Sequence, residues 1–256
     1  MSSTTRTPWL MEWPAAEAAG RLLVCCHHAG GGASQFRAWQ ERLAPDTAVL
    51  ALQLPGRQNR WGEPFLHSVD EIVAEACEAL APRLDRPFTV FGHSMGGIVG
   101  YELVRRLGAV HGQWPERLVV SAALPPHHRQ TEVDLGGFDD AQVLGHFVAN
   151  GSLPHWVLDD ADVQQLVLPP LRRDFVVCDE YRHRPGPPVP CPITVCGGTD
   201  DPDVTPADLA GWRKYTCGGC EQRMFPGGHL YHLEPASGLP SFLAGLLTGE
   251  RTEEMR

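Results

Sequence analysis

An α/β fold, with a mostly parallel central sheet flanked by helices, is what this 256-residue sequence predicts. Three observations carry that expectation. From Arg21 to Ala122, short apolar runs alternate with helix-compatible segments, and strands that alternate with helices pair in parallel. Phe88-Thr-Val-Phe-Gly92 runs straight into Gly92-His-Ser-Met-Gly96, a strand meeting a helix through a very sharp turn. After a strand-poor stretch the alternation resumes, with runs at Ile193–Gly197 and Glu221–Phe225. The length suits one domain over residues 1–256 carrying an insertion at about 125–184.

The elements follow in order. Arg21–Cys26 reads as a buried strand that opens onto His27-His-Ala-Gly-Gly-Gly32. A helix over about Ser34–Leu43 presents Phe36, Trp39 and Leu43 on one face. Thr47–Leu54 is the next strand, followed by a turn, Pro55-Gly-Arg-Gln-Asn-Arg60. Ser68 and Glu71 have the spacing of a capping box for a helix reaching about Leu84. After the helix that begins at Met95, Arg117–Ala122 is another strand.

From Pro125 to Arg184 no strand is expected. Asp139 caps a helix over 140–150, a second spans Asp159–Leu168, and a third spans Pro170–Tyr181. The stretch holds Leu144, Phe147, Leu153, Trp156, Val157, Leu166 and Leu168, too apolar for a linker. Its place between the sharp turn and the later strands suits a lid over a site. Arg184-Pro-Gly-Pro-Pro-Val-Pro190 then returns the chain to the sheet. Thr205 caps a helix with Pro206 in its first turn, and a closing helix covers Leu239–Leu247.

Gly92-His-Ser94-Met-Gly96 fits G-x-S-x-G, the turn that lifts a serine hydroxyl above a sheet and aims a helix N-terminus at it. A serine needs a base, and the base a carboxylate that fixes its tautomer. In α/β-hydrolases these follow in the order serine, acid, histidine. His229, on the tight Gly227-Gly228 loop after the last strand, is the preferred base, with His232 its rival. Asp200, Asp201 and Asp203 are candidate acids. Asp201 is preferred because Gly198-x-x-Asp201-x-x-Val204 sets it one turn beyond a strand end. The glycines after Arg21–Cys26 can expose backbone N–H groups as an oxyanion hole, together with the N–H of Met95.

These pieces resemble the type II thioesterases that accompany polyketide synthases and nonribosomal peptide synthetases. The resemblance rests on His28-Ala-Gly-Gly31, Leu54-Pro-Gly-Arg57 with Arg60 and Glu63-Pro64, and Gly92-His-Ser-Met-Gly-Gly97. It rests also on Leu168-Pro-Pro-Leu-Arg-Arg-Asp174 with Tyr181, on Gly198-x-x-Asp201 and on Gly228-His229. It implies Ser94, Asp201 and His229 as the triad, the amides of Ala29 and Met95 as the oxyanion hole, and the α/β-hydrolase fold with a lid. It further implies hydrolysis of acyl groups from the phosphopantetheine of acyl or peptidyl carrier proteins, clearing stalled units from an assembly line. His27 stands where that family often has proline. A carboxylester hydrolase or lipase-like esterase on the same fold is the alternative.

The net charge of −10 argues against nucleic acid as a partner. A docking carrier, itself acidic, would need a local basic patch, for which Arg172, Arg173, Arg182 and Arg184 are candidates unless they are ion-paired. No apolar run reaches a bilayer's span and the N-terminus lacks a signal-peptide pattern, so a cytoplasmic protein without a membrane partner is expected. Cys217-Gly-Gly-Cys220 has no partner motif and reads as a turn; the twelve histidines are scattered, so neither metal nor cofactor is expected. Nothing in the sequence demands more than a monomer.

Overall fold

The computed structural model describes residues 7–14, 19–128 and 135–249. Among these residues seven strands form one sheet: β1 (Leu10–Met11), β2 (Arg21–Cys26), β3 (Thr47–Leu52), β4 (Phe88–His93), β5 (Arg117–Ser121), β6 (Ile193–Gly198) and β7 (Cys220–Phe225). Their order is β1-β3-β2-β4-β5-β6-β7. Every neighbouring pair is parallel except β1 with β3. The expected parallel sheet is thus present, with a two-residue antiparallel edge too short to leave a pattern in sequence.

Side chains of a strand alternate between faces, and the two sides of the sheet separate accordingly. Leu22, Val24, Leu50, Val90, Leu118 and Val195 join one core cluster. Leu23, Val49, Phe91, Val119 and Cys196 join another. Helices α2 (Val69–Leu80) and α3 (Met95–His111) cover the first face; α1 (Arg37–Leu43) and α7 (Leu239–Thr248) cover the second. The β7 edge exposes Glu221, Gln222 and Arg223, polar side chains that discourage pairing with another strand.

Local signals explain most boundaries. Ser68 accepts the Glu71 N–H at 3.2 Å, but the Glu71 carboxylate takes the His67 N–H, one residue before the cap's own. The α2 helix ends at Leu80 rather than Leu84, because Pro82 has no N–H to continue it; Ala81–Arg83 forms a 3-10 turn. Thr205 and Asp208 form a capping box for α6 (Pro206–Leu209), a single turn that passes into a 3-10 segment, Ala210–Tyr215.

Between β5 and β6 lie α4 (Asp140–Ala149) and α5 (Ala161–Glu180). Asp139 and Gln142 close a capping box on α4. The two helices expected over 159–181 are one: α5 runs through Pro169 and Pro170. The carbonyls deprived of donors belong to Gln165 and Leu166, both exposed, where water can serve them. Leu168, Leu171 and Val177 are buried along the helix and hold both halves down. This segment has an apolar cluster of its own, including Val143, Leu144, Phe147, Val157, Leu168 and Leu171.

Candidate active site

Ser94 directly follows β4 and is the N-cap of α3, with φ 55° and ψ −120°. That conformation is strained for any residue with a side chain. The neighbouring glycines permit it: a Cβ at Gly92 would overlap the Gly96 carbonyl, and one at Gly96 would overlap the Cys26 carbonyl. The Ser94 N–H donates to the Ser121 carbonyl at 2.8 Å, tying the turn to the next strand.

Asp201 follows β6 and His229 follows β7, so all three groups gather at the carboxyl ends of parallel strands, where such folds place their ligands. His229 Nε2 lies 3.0 Å from Ser94 Oγ, and His229 Nδ1 lies 2.9 Å from Asp201 Oδ2. The Asp201 side chain is fully buried. Its other oxygen accepts the N–H groups of Asp203 at 2.9 Å and Val204 at 3.3 Å. Of the three candidate acids, Asp201 alone meets the imidazole; the Asp200 side chain accepts from Thr199. Among the described residues the one group with metal-ligand spacing is Asp201, Asp203 and His229, within 4.8 Å of one another. Two of those three already bond each other.

Met95 opens α3, where an N–H has no carbonyl one turn earlier to bond. Ala29 lies in the loop after β2. Both border the same cavity as Ser94 and His229, a space of about 330 Å³. Phe147, Leu153, Leu171 and Phe175, from the 125–184 segment, form much of its apolar wall. This arrangement can bring a serine oxygen and a proton acceptor to a carbonyl held beside an apolar chamber, with Ala29 and Met95 bordering the same space.

His232, the rival base, does not reach Ser94. It stacks on His93 with ring centroids 3.6 Å apart, and burial keeps both imidazoles far below the ordinary histidine pKa. His93 is held by Ser121 Oγ at 2.9 Å, and Ser121 by the Tyr231 hydroxyl at 2.6 Å. Nothing in the sequence pattern marks these as a buried layer behind His229. Arg57 and Asp174 also form a buried ion pair, and the sequence does carry a signal for it. Asp174 lies on the face of α5 that also buries Pro170, Leu171, Val177 and Cys178, and an acid in an apolar stripe calls for a cation.

Of the four arginines considered for docking, Arg172 pairs with Asp140 and Arg184 with Asp70, both at 2.8 Å. Arg173 faces His67 at 3.1 Å, and Arg182 donates to the carbonyls of Asp179 and Tyr181. The eight cysteines are free, and Cys217 to Cys220 is a turn into β7.

The family model described as "Thioesterase domain" matches residues 21–246. The chain belongs to the thioesterase family. Thioesterase PikA5 of Streptomyces venezuelae is 35% identical over 224 residues, covering 87% of this chain and 79% of its own. The type II thioesterase BorB from the borrelidin biosynthetic cluster superposes with a TM-score of 0.85 at 34% identity, over 93% of this chain and 97% of BorB. The chain is a hydrolase with the α/β-hydrolase fold of these enzymes. A Brevibacillus parabrevis protein named linear gramicidin dehydrogenase LgrE is 35% identical over 226 residues, 87% of this chain and 86% of LgrE. A dinucleotide fingerprint would read G-x-G-x-x-G after a strand. In this thioesterase the turns after β2 and β4 read His27-His-Ala-Gly-Gly-Gly32 and Gly92-His-Ser-Met-Gly96 instead. No helix among the described residues is long and apolar enough to cross a membrane.

Proposed function

We propose that this chain is a type II editing thioesterase that works on acyl groups carried by the phosphopantetheine of acyl or peptidyl carrier proteins, with Ser94 as nucleophile. The observation that carries this reading is the chain of contacts Asp201–His229–Ser94 at 2.9 and 3.0 Å beside an apolar cavity.

The chemistry follows from the geometry. Ser94 Oγ attacks the thioester carbonyl while His229 Nε2 takes its proton. Asp201 fixes the tautomer and stabilises the imidazolium. The oxyanion rests between the N–H groups of Ala29 and Met95. Collapse breaks the C–S bond, and the departing thiolate takes the proton from His229. Water then attacks the acyl-Ser94 ester, giving a proton to His229, and the free acid leaves as Ser94 regains its own. The 125–184 segment acts as the lid, its aromatic side chains holding the acyl chain in a single-domain, monomeric enzyme of the cytoplasm.

Ser94→Ala tests the assignment. Hydrolysis of an acyl-carrier thioester should fall by at least about 10³-fold, leaving the residual rate of binding and oxyanion donors. Stable acylation of the wild-type enzyme by a slow substrate should map to Ser94 by mass spectrometry and vanish in the variant. Undiminished turnover removes Ser94 from the mechanism. Faster hydrolysis of simple oxygen esters than of matched carrier thioesters would favour the esterase alternative.

A further inference from the structure

The oxyanion loop is held by the helix that covers the site. His28, Ala29, Gly30 and Gly31 make a tight turn closed by the Gly31 N–H on the His28 carbonyl at 3.0 Å. Gly30, its third residue, has φ +75°, the conformation that a type II turn reserves for glycine. Two groups from elsewhere grip this turn. The carboxylate of Asp174 on α5 accepts the Gly30 N–H at 2.7 Å. Arg57 donates to the Gly31 carbonyl at 3.3 Å and also to both oxygens of Asp174, at 2.5 and 2.8 Å. Both side chains are almost wholly buried, at 5% and 2% exposure. Leu171, one turn before Asp174, lies so close that its Cδ1 would stand 2.8 Å from a Cβ on Gly30.

The Gly30 N–H belongs to the peptide that joins Ala29 to Gly30. A carboxylate on that N–H fixes the plane of this peptide, and with it the direction of the preceding one, which carries the Ala29 N–H. Asp174 itself does not border the cavity, so it has no contact through which to bind the acyl group. We propose that Asp174 is a positioning residue, which makes the Ala29 oxyanion donor depend on the seating of α5. When α5 lifts, the carboxylate leaves the turn and the donor loses its aim. When it closes, Arg57 and Asp174 restore the turn, so acyl-chain enclosure and carbonyl activation arrive together. The proposal rests on the reading of Ala29 as an oxyanion donor.

Asp174→Asn keeps the side chain's size and removes its charge. Active sites are first counted by fluorophosphonate titration, so that a misfolded fraction does not enter the rate. Per titrated site, kcat on an acyl-carrier thioester should fall about 10- to 100-fold, less than the 10²–10³ of a deleted donor, with KM within about twofold. Affinity for an acyl trifluoromethyl ketone, whose adduct places an oxyanion in the hole, should weaken in parallel with kcat. An unchanged kcat per site with a lowered melting temperature would make Asp174 merely structural and overturn the proposal. Should that variant fail to fold, Arg57→Lys keeps the buried charge and loses the fork; the same pattern is expected at smaller size, and wild-type kcat there overturns the proposal equally. Ala29→Pro separates this from the reading beneath it, since proline suits the second position of such a turn and removes the donor. Wild-type kcat in Ala29→Pro discards the oxyanion assignment itself. A slow Ala29→Pro beside a wild-type Asp174→Asn discards only the positioning role.

Discussion

His93 and His232 lie face to face, 3.6 Å between ring centroids and 24° between planes, immediately behind the imidazole that meets Ser94. His93 is wholly shielded from water and His232 is 2% exposed. Two imidazoles so placed cannot both carry a charge, and burial already disfavours the first.

Stability should therefore fall on the acid side. His27, His93 and His232 are held neutral by burial, His27 down to about 4, with nearby Arg57 adding to the effect. Each is depressed in the folded state, so the unfolded chain binds the extra protons below about pH 6.5. Their contribution is complete above that pH and is lost as pH drops from 6.5 towards 4. At pH 5 the loss for a group such as His27 is about 2 kcal/mol. Urea denaturation at pH 7.5 and pH 5 measures it, and His232→Leu should flatten the difference.

Asp201→Asn should preserve the fold and lower kcat by about 10⁴-fold, as loss of the orienting acid does in serine hydrolases generally. The amide fails to enforce the tautomer in which Nδ1 carries the proton. Single-turnover acylation of Ser94, followed by intact-mass analysis, reports the step affected.

Gly96→Ala should be more damaging than its one added methyl suggests. The new Cβ would collide with the Cys26 carbonyl, a backbone atom in the sheet that cannot swing aside. Overpacking of this kind costs about 1–3 kcal/mol, and any relaxation moves Ser94. A lowered urea midpoint together with reduced kcat is expected; a normal midpoint with normal kcat would contradict the account of the turn.

Phe175→Ala should change substrate choice more than chemistry. Phe175 and Phe147 meet edge to face at 4.9 Å on the wall of the cavity. Removing one ring enlarges the chamber. kcat/KM for short acyl chains should drop about tenfold or more while longer or branched chains lose less, as judged by a panel of acyl-carrier thioesters.

Strand placement was legible because the two-faced burial of β2 to β6 leaves short, nearly all-apolar runs; the observed ends differ from the expected ones by at most two residues. That Ser94, Asp201 and His229 come together was legible because each follows a strand on a loop whose small residues mark the turn. The sequence alone misjudged α5: Pro169 and Pro170 argued for a break, whereas tertiary packing of Leu168, Leu171 and Val177 outweighs two lost hydrogen bonds on the exposed side. Of the Arg57–Asp174 pair only Asp174 leaves a local sign, as an acid in the apolar stripe of α5; its partner, 117 residues away, lies beyond any local pattern. Motif resemblance drew attention to both residues without saying what they touch.

Ser94 sits at the positive end of a 17-residue helix, and that polarity outlasts the reaction. In the reaction proposed above, what favours a transient oxyanion also favours the carboxylate of the finished product, which is born at the same spot. The liberated acid must escape an anion-friendly corner, helped outward by a protein whose overall charge is −10. On that proposal, departure of the acid is placed to compete with bond breaking for control of turnover.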